Sequence, residues 1–246
     1  MGALSSLALK LIAVTTMLID HLGYALAPMM PEPLASLAPA MRLVGRLAMP
    51  LFCFLIAEGY FHTRSPRRYL MRLSLFALLS EIPYDLLFAR GPLEFSSQNV
   101  FFTLALALAA IWLYDHFEAR GLSVASLLSL LTCAALCELL HTDYGAFGVL
   151  FTFVFYRFRG QPAARVAAFL TADAVFFLYS LFSRRYGLEW SLFLACAAFA
   201  LIPISLYNGE KGGAGRHDRL RQWFFYAFYP AHLLLLSVLA ALRPRW

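Results

Sequence analysis

Apolar runs of about twenty residues, parted by short polar or Pro- and Gly-rich connections, recur along the whole chain. One helical crossing of a bilayer takes about 20 such residues. The pattern therefore predicts nine membrane-spanning helices, at 5–27, 38–60, 68–89, 99–116, 121–141, 144–159, 163–182, 188–207 and 220–242. Segment 144–159 is the shortest. The 3.6-residue periodicity adds little, because a helix buried in a bundle or in lipid is apolar nearly all round. Connections such as Pro28 to Pro33 and Lys211 to Gly215 are too short to hold a soluble domain. No internal repeat is evident, so an inverted-repeat plan is not indicated. The reading is one all-α polytopic helical bundle, a single transmembrane domain over residues 1–246.

Composition agrees. The chain is 61% hydrophobic with a mean hydropathy of +0.70, whereas soluble domains are about 45–50% apolar. A net charge of +6 would suggest nucleic acid in a soluble chain, but here the basic residues set orientation. The second, fourth, sixth and eighth connections hold Arg64, Arg67, Arg68, Arg120, Arg157, Arg159, Arg165, Lys211, Arg216, Arg219 and Arg221, eleven in all. The others and the C-terminal tail hold five: Arg90, Arg184, Arg185, Arg243 and Arg245. This bias places the N-terminus in the cytoplasm and the C-terminus outside. The bilayer is the expected partner and nucleic acid is not.

Cys53, Cys133, Cys137 and Cys196 all fall in apolar segments and read as small core residues. Residues 1–27 resemble a signal peptide only superficially. The n-region is weak and Pro28 would follow the cut, so they read as a retained first span.

Ionisable side chains inside these spans are costly and mark function by default. Lys10, Asp20 and His21 lie in the first span. Eleven helical residues turn through about 1100°, within about 20° of whole turns, and rise roughly 16 Å. Lys10 and His21 thus share a face at two depths, and Asp20 flanks it. With the N-terminus inside, Asp20, His21, Arg42, Arg46, Glu81, Asp85, Gln98, Asn99, Glu138, His141, Asp143 and Tyr144 all fall in the extracytoplasmic half. They predict a polar pocket there, in which arginines and carboxylates neutralise one another. Glu81 and Asp85 are expected against Arg42 and Arg46, and Glu58, near the inner surface, against Arg72. Tyr229 and His232 share a face mid-span in the last helix; Asp173, among apolar neighbours, has no assigned role.

An imidazole beside a carboxylate suits general acid-base chemistry. A cation about 16 Å further in suits the pyrophosphate of a phosphopantetheine thioester whose reactive end reaches His21. It would equally suit a phospholipid. No spacing argues for a metal.

Lys10, ten residues and His21 match the R/K-x10-H motif of the integral-membrane acyltransferase family three. LFCFLIAEGYF at 51–61 is similar to that family's following helix, with Glu58 where serine is usual. Over nearly its full length the chain more closely resembles the TraX family. The segments are MLIDHLG at 17–23, RLVGRLAMPLF at 42–52, EGYFHTR at 58–64, EIPYD at 81–85, QNVFFT at 98–103, TDYG at 142–145, YNGEKG at 207–212 and FYPAH at 228–232.

The TraX resemblance implies N-acetylation, its founding activity acting on the N-terminal amine of a conjugative pilin with acetyl-CoA as donor. On that reading acetyl-CoA meets Lys10, Arg64, Arg67, Arg68, Arg72, Lys211 and Asn208 from the cytoplasm. His21, supported by Asp20, deprotonates an amine or hydroxyl on an acceptor protein, glycan or small molecule. Arg42, Arg46 or Asn99 holds the oxyanion, and Glu81, Asp85, Gln98, Asp143, Tyr144, Tyr229 and His232 form the acceptor site. Two other classes fit the same charges: a small-molecule transporter or channel, and a scaffold subunit of a secretion apparatus. A scaffold would tolerate their replacement.

Overall fold

Ser5 starts the first helix, its hydroxyl accepting the Ala8 N–H at 3.3 Å. In the computed structural model, residues 2–89, 91–182, 188–213 and 218–242 are described. Arg90, Arg184, Arg185, Arg216, Arg243 and Arg245 of the orientation count lie outside them. The helices are α1 (Ser6–Leu26), α2 (Ala38–Gly45), α3 (Ala48–His62), α4 (Pro66–Phe88), α5 (Val100–Glu118), α6 (Ser123–Leu139), α7 (Gly145–Arg157), α8 (Pro162–Phe182), α9 (Leu188–Ala195), α10 (Leu201–Ser205) and α11 (Asp218–Ala241). No strand is formed among the described residues, and the chain is an all-α polytopic bundle.

Every predicted span is helical, but two are broken. Span 38–60 divides into α2 and α3. Pro50 has no N–H for the Arg46 carbonyl, and the Leu47 N–H turns instead to Val44, three residues back, at 3.3 Å. Span 188–207 divides into α9, a 3-10 turn at Cys196–Ala200 and α10, where Pro203 withholds the same kind of bond from Phe199. Among the described residues, Ser6–Met29, Leu34–His62, Val100–Glu118, Pro162–Phe182 and Leu220–Ala241 are long and apolar enough to cross a membrane. Ser123–Leu139, Gly145–Arg157 and Leu192–Ser205 are apolar but shorter. At 23 residues α4 has the length, but it carries Arg67, Arg68, Arg72, Glu81 and Asp85.

Lipid is as apolar as leucine, so close packing rather than water exclusion joins such helices. α1 packs against α2, α3 and α11, and α4 against α5 and α11. Leu9, Ala13 and Met17 of α1 share one buried cluster with Phe54, Phe76, Phe151, Phe155, Phe169 and Leu233. α6 joins through a smaller cluster, in which Cys133 and Cys137 meet Ala107, Ala110 and Val149. The free cysteines Cys53, Cys133 and Cys137 are buried. At the end of the bundle opposite His21, Asp115 accepts from the Tyr60 and Tyr156 hydroxyls at 2.7 and 3.0 Å, tying α3, α5 and α7 together.

Candidate functional site

Two cavities follow α1. Lys10, Val14, Met17 and His21, spaced i, i+4, i+7 and i+11, form one stripe along the helix. The inner chamber, about 430 Å³, takes Lys10, Val14 and Met17. The outer one, about 230 Å³, takes Met17 and His21.

The nearest polar partner of His21 is His232 of α11. His21 Nδ1 lies 2.7 Å from His232 Nε2, and His232 Nδ1 lies 2.8 Å from the Phe228 carbonyl oxygen. A carbonyl oxygen can only accept, so His232 Nδ1 carries the proton. With both rings neutral, His232 Nε2 is then the acceptor and His21 donates to it from Nδ1. The lone pair of His21 is thereby assigned to Nε2. Phe88 and Tyr229 pack edge-on to the His21 ring, at 5.5 and 6.3 Å between centroids.

Asp20 does not orient His21, contrary to the expectation from their adjacency. Its Oδ2 is 4.0 Å from His21 Nε2, beyond hydrogen-bond reach. Successive helical residues point about 100° apart, and Asp20 turns toward α2. It accepts from Arg46 Nη2 at 2.9 and 3.0 Å and from Arg42 Nη1 at 3.1 Å. Arg46 also donates to the Tyr144 hydroxyl at 3.3 Å and to the Arg42 carbonyl at 3.2 Å. The two arginines expected to bind an oxyanion are thus held by a carboxylate. Asp143 and Tyr144 line the same chamber, so two carboxylates face two guanidiniums there.

Gly45 makes the Asp20 contact possible. A Cβ at that position would overlap the Asp20 Cβ and carboxyl group, so only glycine lets α2 come this close. Gly45→Val is expected to part the two helices. It should lower the unfolding temperature in detergent by several degrees, consistent with an overpacking cost of about 1–3 kcal/mol.

Several other outer-half polar residues are engaged in caps and loop contacts. Asn99 is not an oxyanion amide: its Oδ1 caps α5 by accepting the Phe101 N–H at 3.0 Å, while its amide donates to the Ala77 carbonyl and to Glu81. Asp85 accepts the Glu94 N–H at 2.8 Å, pinning the α4–α5 loop. Glu81 and Asp85 therefore do not pair with Arg42 and Arg46. Gln98 bonds through its backbone to His141 and Asp143. Glu138 accepts the Ala146 N–H at 2.7 Å, capping α7. Asn99, Glu81, Asp85 and Gln98 are absent from the outer chamber's wall.

The inner chamber is basic. Lys10, Arg72 and Lys211 line it, but Arg64, Arg67, Arg68 and Asn208 do not. The first three of these are exposed or nearly so beside the α3–α4 turn, and Asn208 folds onto Glu210 of its own loop at 2.9 and 3.3 Å. Lys10 Nζ sits over the Phe225 ring at 5.8 Å. Glu58, also on the wall, pairs with Arg159 at 2.7 and 3.2 Å rather than with Arg72. Tyr207 lies on the same wall.

Glu58, Phe52, Phe88 and Phe176 escaped the sequence reading as wall residues. For Met17 and Val14 the signal was present in their spacing between Lys10 and His21. Among the described residues, no group of three or more His, Cys, Asp or Glu side chains is gathered to hold a metal.

Fold and site together define a polytopic helical membrane protein with a histidine pair between its first and last helices. The chain belongs to the TraX family, described as "TraX protein", which it matches over residues 5–240. It is 33% identical over 245 residues to the "probable fimbrial assembly protein FimC, serogroup H1" of Dichelobacter nodosus, covering 94% of each chain. An uncharacterised protein of Rickettsia prowazekii (strain Madrid E) is 30% identical over 108 residues, 44% of this chain and 37% of that one. No solved structure matches.

Proposed function

We propose that this protein is an acyltransferase of the bacterial inner membrane, moving an acyl group, acetyl foremost, from cytoplasmic acyl-CoA to an extracytoplasmic amine or hydroxyl. The observation that carries this reading is the His21–His232 pair. It presents an unprotonated ring nitrogen in a chamber that adjoins a second, basic one about 16 Å along α1. Lys10, Arg72 and Lys211 hold the donor's phosphates, and the Glu58 charge beside them is neutralised by Arg159. The acceptor attacks the thioester carbonyl while His21 Nε2 takes its proton. The carbonyl electrons return to expel the thiolate, and the imidazolium delivers the proton to that sulfur. Arg42 and Arg46, on the wall of the same chamber while bonded to Asp20, face the oxyanion between these steps. A relative named as a fimbrial assembly protein, with the TraX resemblance, favours a pilin-like N-terminal amine as acceptor.

The test is isothermal titration of detergent-purified protein with acetyl-CoA. Saturable binding is expected, weakened about tenfold or more in Lys10→Ala, since a charge-assisted hydrogen bond contributes about 1.5–3 kcal/mol. No affinity for any acyl-CoA would overturn the reading and make solute flux in liposomes the next measurement.

A further inference from the structure

The two chambers share four lining residues, Met17, Phe52, Val100 and Tyr229. They come from four different helices, α1, α3, α5 and α11, and form the boundary at which the two chambers meet. None carries a charge. On either side the walls are charged, by Lys10, Arg72 and Lys211 inward and by Asp20, Arg42 and Arg46 outward.

Two of the four collar residues are buried and closely packed. Tyr229 is 4% exposed, and its ring is braced edge-on by Phe101 of the inner chamber at 5.2 Å and 89° and by His21 of the outer one at 6.3 Å and 61°. Met17, one turn before His21, is 7% exposed. Val100 opens α5 directly after the Asn99 cap. A fixed ring of packed side chains selects by cross-section, because interiors do not yield by even a methylene without cost.

Resting on the acyltransferase reading, we propose that Met17, Phe52, Val100 and Tyr229 form a sieve that decides which acyl groups reach His21. The uncharged, unbranched outer part of the pantetheine arm passes an apolar collar, while its one branched carbon, a gem-dimethyl next to the phosphates, stays on the inner side with the head. The phosphorylated head cannot pass, because stripping water from a charge without a partner is prohibitive. The head therefore stays among the inner cations while the thioester emerges beside His21. Acetyl, the narrowest acyl group that can follow the arm, passes best, and branched or longer groups are held back.

The experiment uses purified wild type, Phe52→Ala and Val100→Phe. Each is titrated with adenosine 3′,5′-bisphosphate, the donor's head alone. Each is then assayed for acyl transfer to hydroxylamine from acetyl-CoA and from isobutyryl-CoA. Head binding is expected to be equal in all three, which also reports folding of the inner chamber. Widening the collar in Phe52→Ala should raise the isobutyryl-to-acetyl turnover ratio about tenfold or more, the scale of discrimination by one or two methyl groups. Narrowing it in Val100→Phe should abolish transfer without loss of head binding. Wild-type ratios in Phe52→Ala, or undiminished acetyl transfer in Val100→Phe, would overturn the sieve while leaving the transferase standing. A wild type that binds neither the head nor acetyl-CoA would remove both.

Discussion

Replacing His21 by alanine is expected to cut acyl transfer by about 10²- to 10⁴-fold, the usual contribution of a positioned general base. Donor binding should be unchanged, since His21 lies outside the inner chamber proposed to hold the donor's head. The comparison of kcat with the acetyl-CoA dissociation constant checks this split. Equal losses in both would mean that the substitution had disturbed the bundle instead. His232→Ala should retain part of the rate. It leaves the base in place but frees its tautomer and rotation, so the pH profile of kcat should move as well as its height. A purely structural defect would lower the profile without moving it.

Asp20→Ala should be the most destabilising single change. It leaves Arg42 and Arg46 side by side, with side chains only 16% and 10% exposed, facing no Asp20 carboxylate. Removing one member of a buried ion pair costs about 3–5 kcal/mol. Thermal unfolding in detergent measures the effect, and Asp20→Asn, which keeps the acceptor oxygen, should lose less. Substituting all three positions with Leu or Met should recover much of the stability, because apolar replacements of a whole buried pair are often neutral or better. A triple variant as unstable as Asp20→Ala would show that the cluster is not held together by charge compensation.

The fold was largely legible, because a run of twenty apolar residues has few alternatives to a membrane helix. Depth was legible too: residues assigned to the outer half do collect around one end of the bundle. Lateral position was not. Glu81 and Asp85 were expected against Arg42 and Arg46 because all four share a level. Instead α4 turns Glu81 toward Asn99, and Asp85 holds the following loop. Adjacency in sequence misled in the same way. Asp20 and His21 look like a dyad on paper, but the packing of α1 between α2 and α11 sends one to the arginines and the other to His232. Only contacts between distant helices decide such pairings, and a single sequence contains no direct trace of them.

The N-terminal segment bonds along the loop before α11, Leu4 N–H to Leu206, Ser6 N–H to Glu210 and Leu7 N–H to Lys211, at 2.8, 2.8 and 3.1 Å. His21 and His232 are likewise 211 residues apart. Helices enter the membrane in the order of synthesis, so α1 is inserted with Lys10 and His21 in place but with neither chamber closed. Both ends of the path are completed by the same late event, the arrival of α11 and the loop before it. A chain that lacks α11 therefore has neither chamber wall complete and no His232 for His21 to bond. The protein becomes competent only once the whole bundle has been assembled.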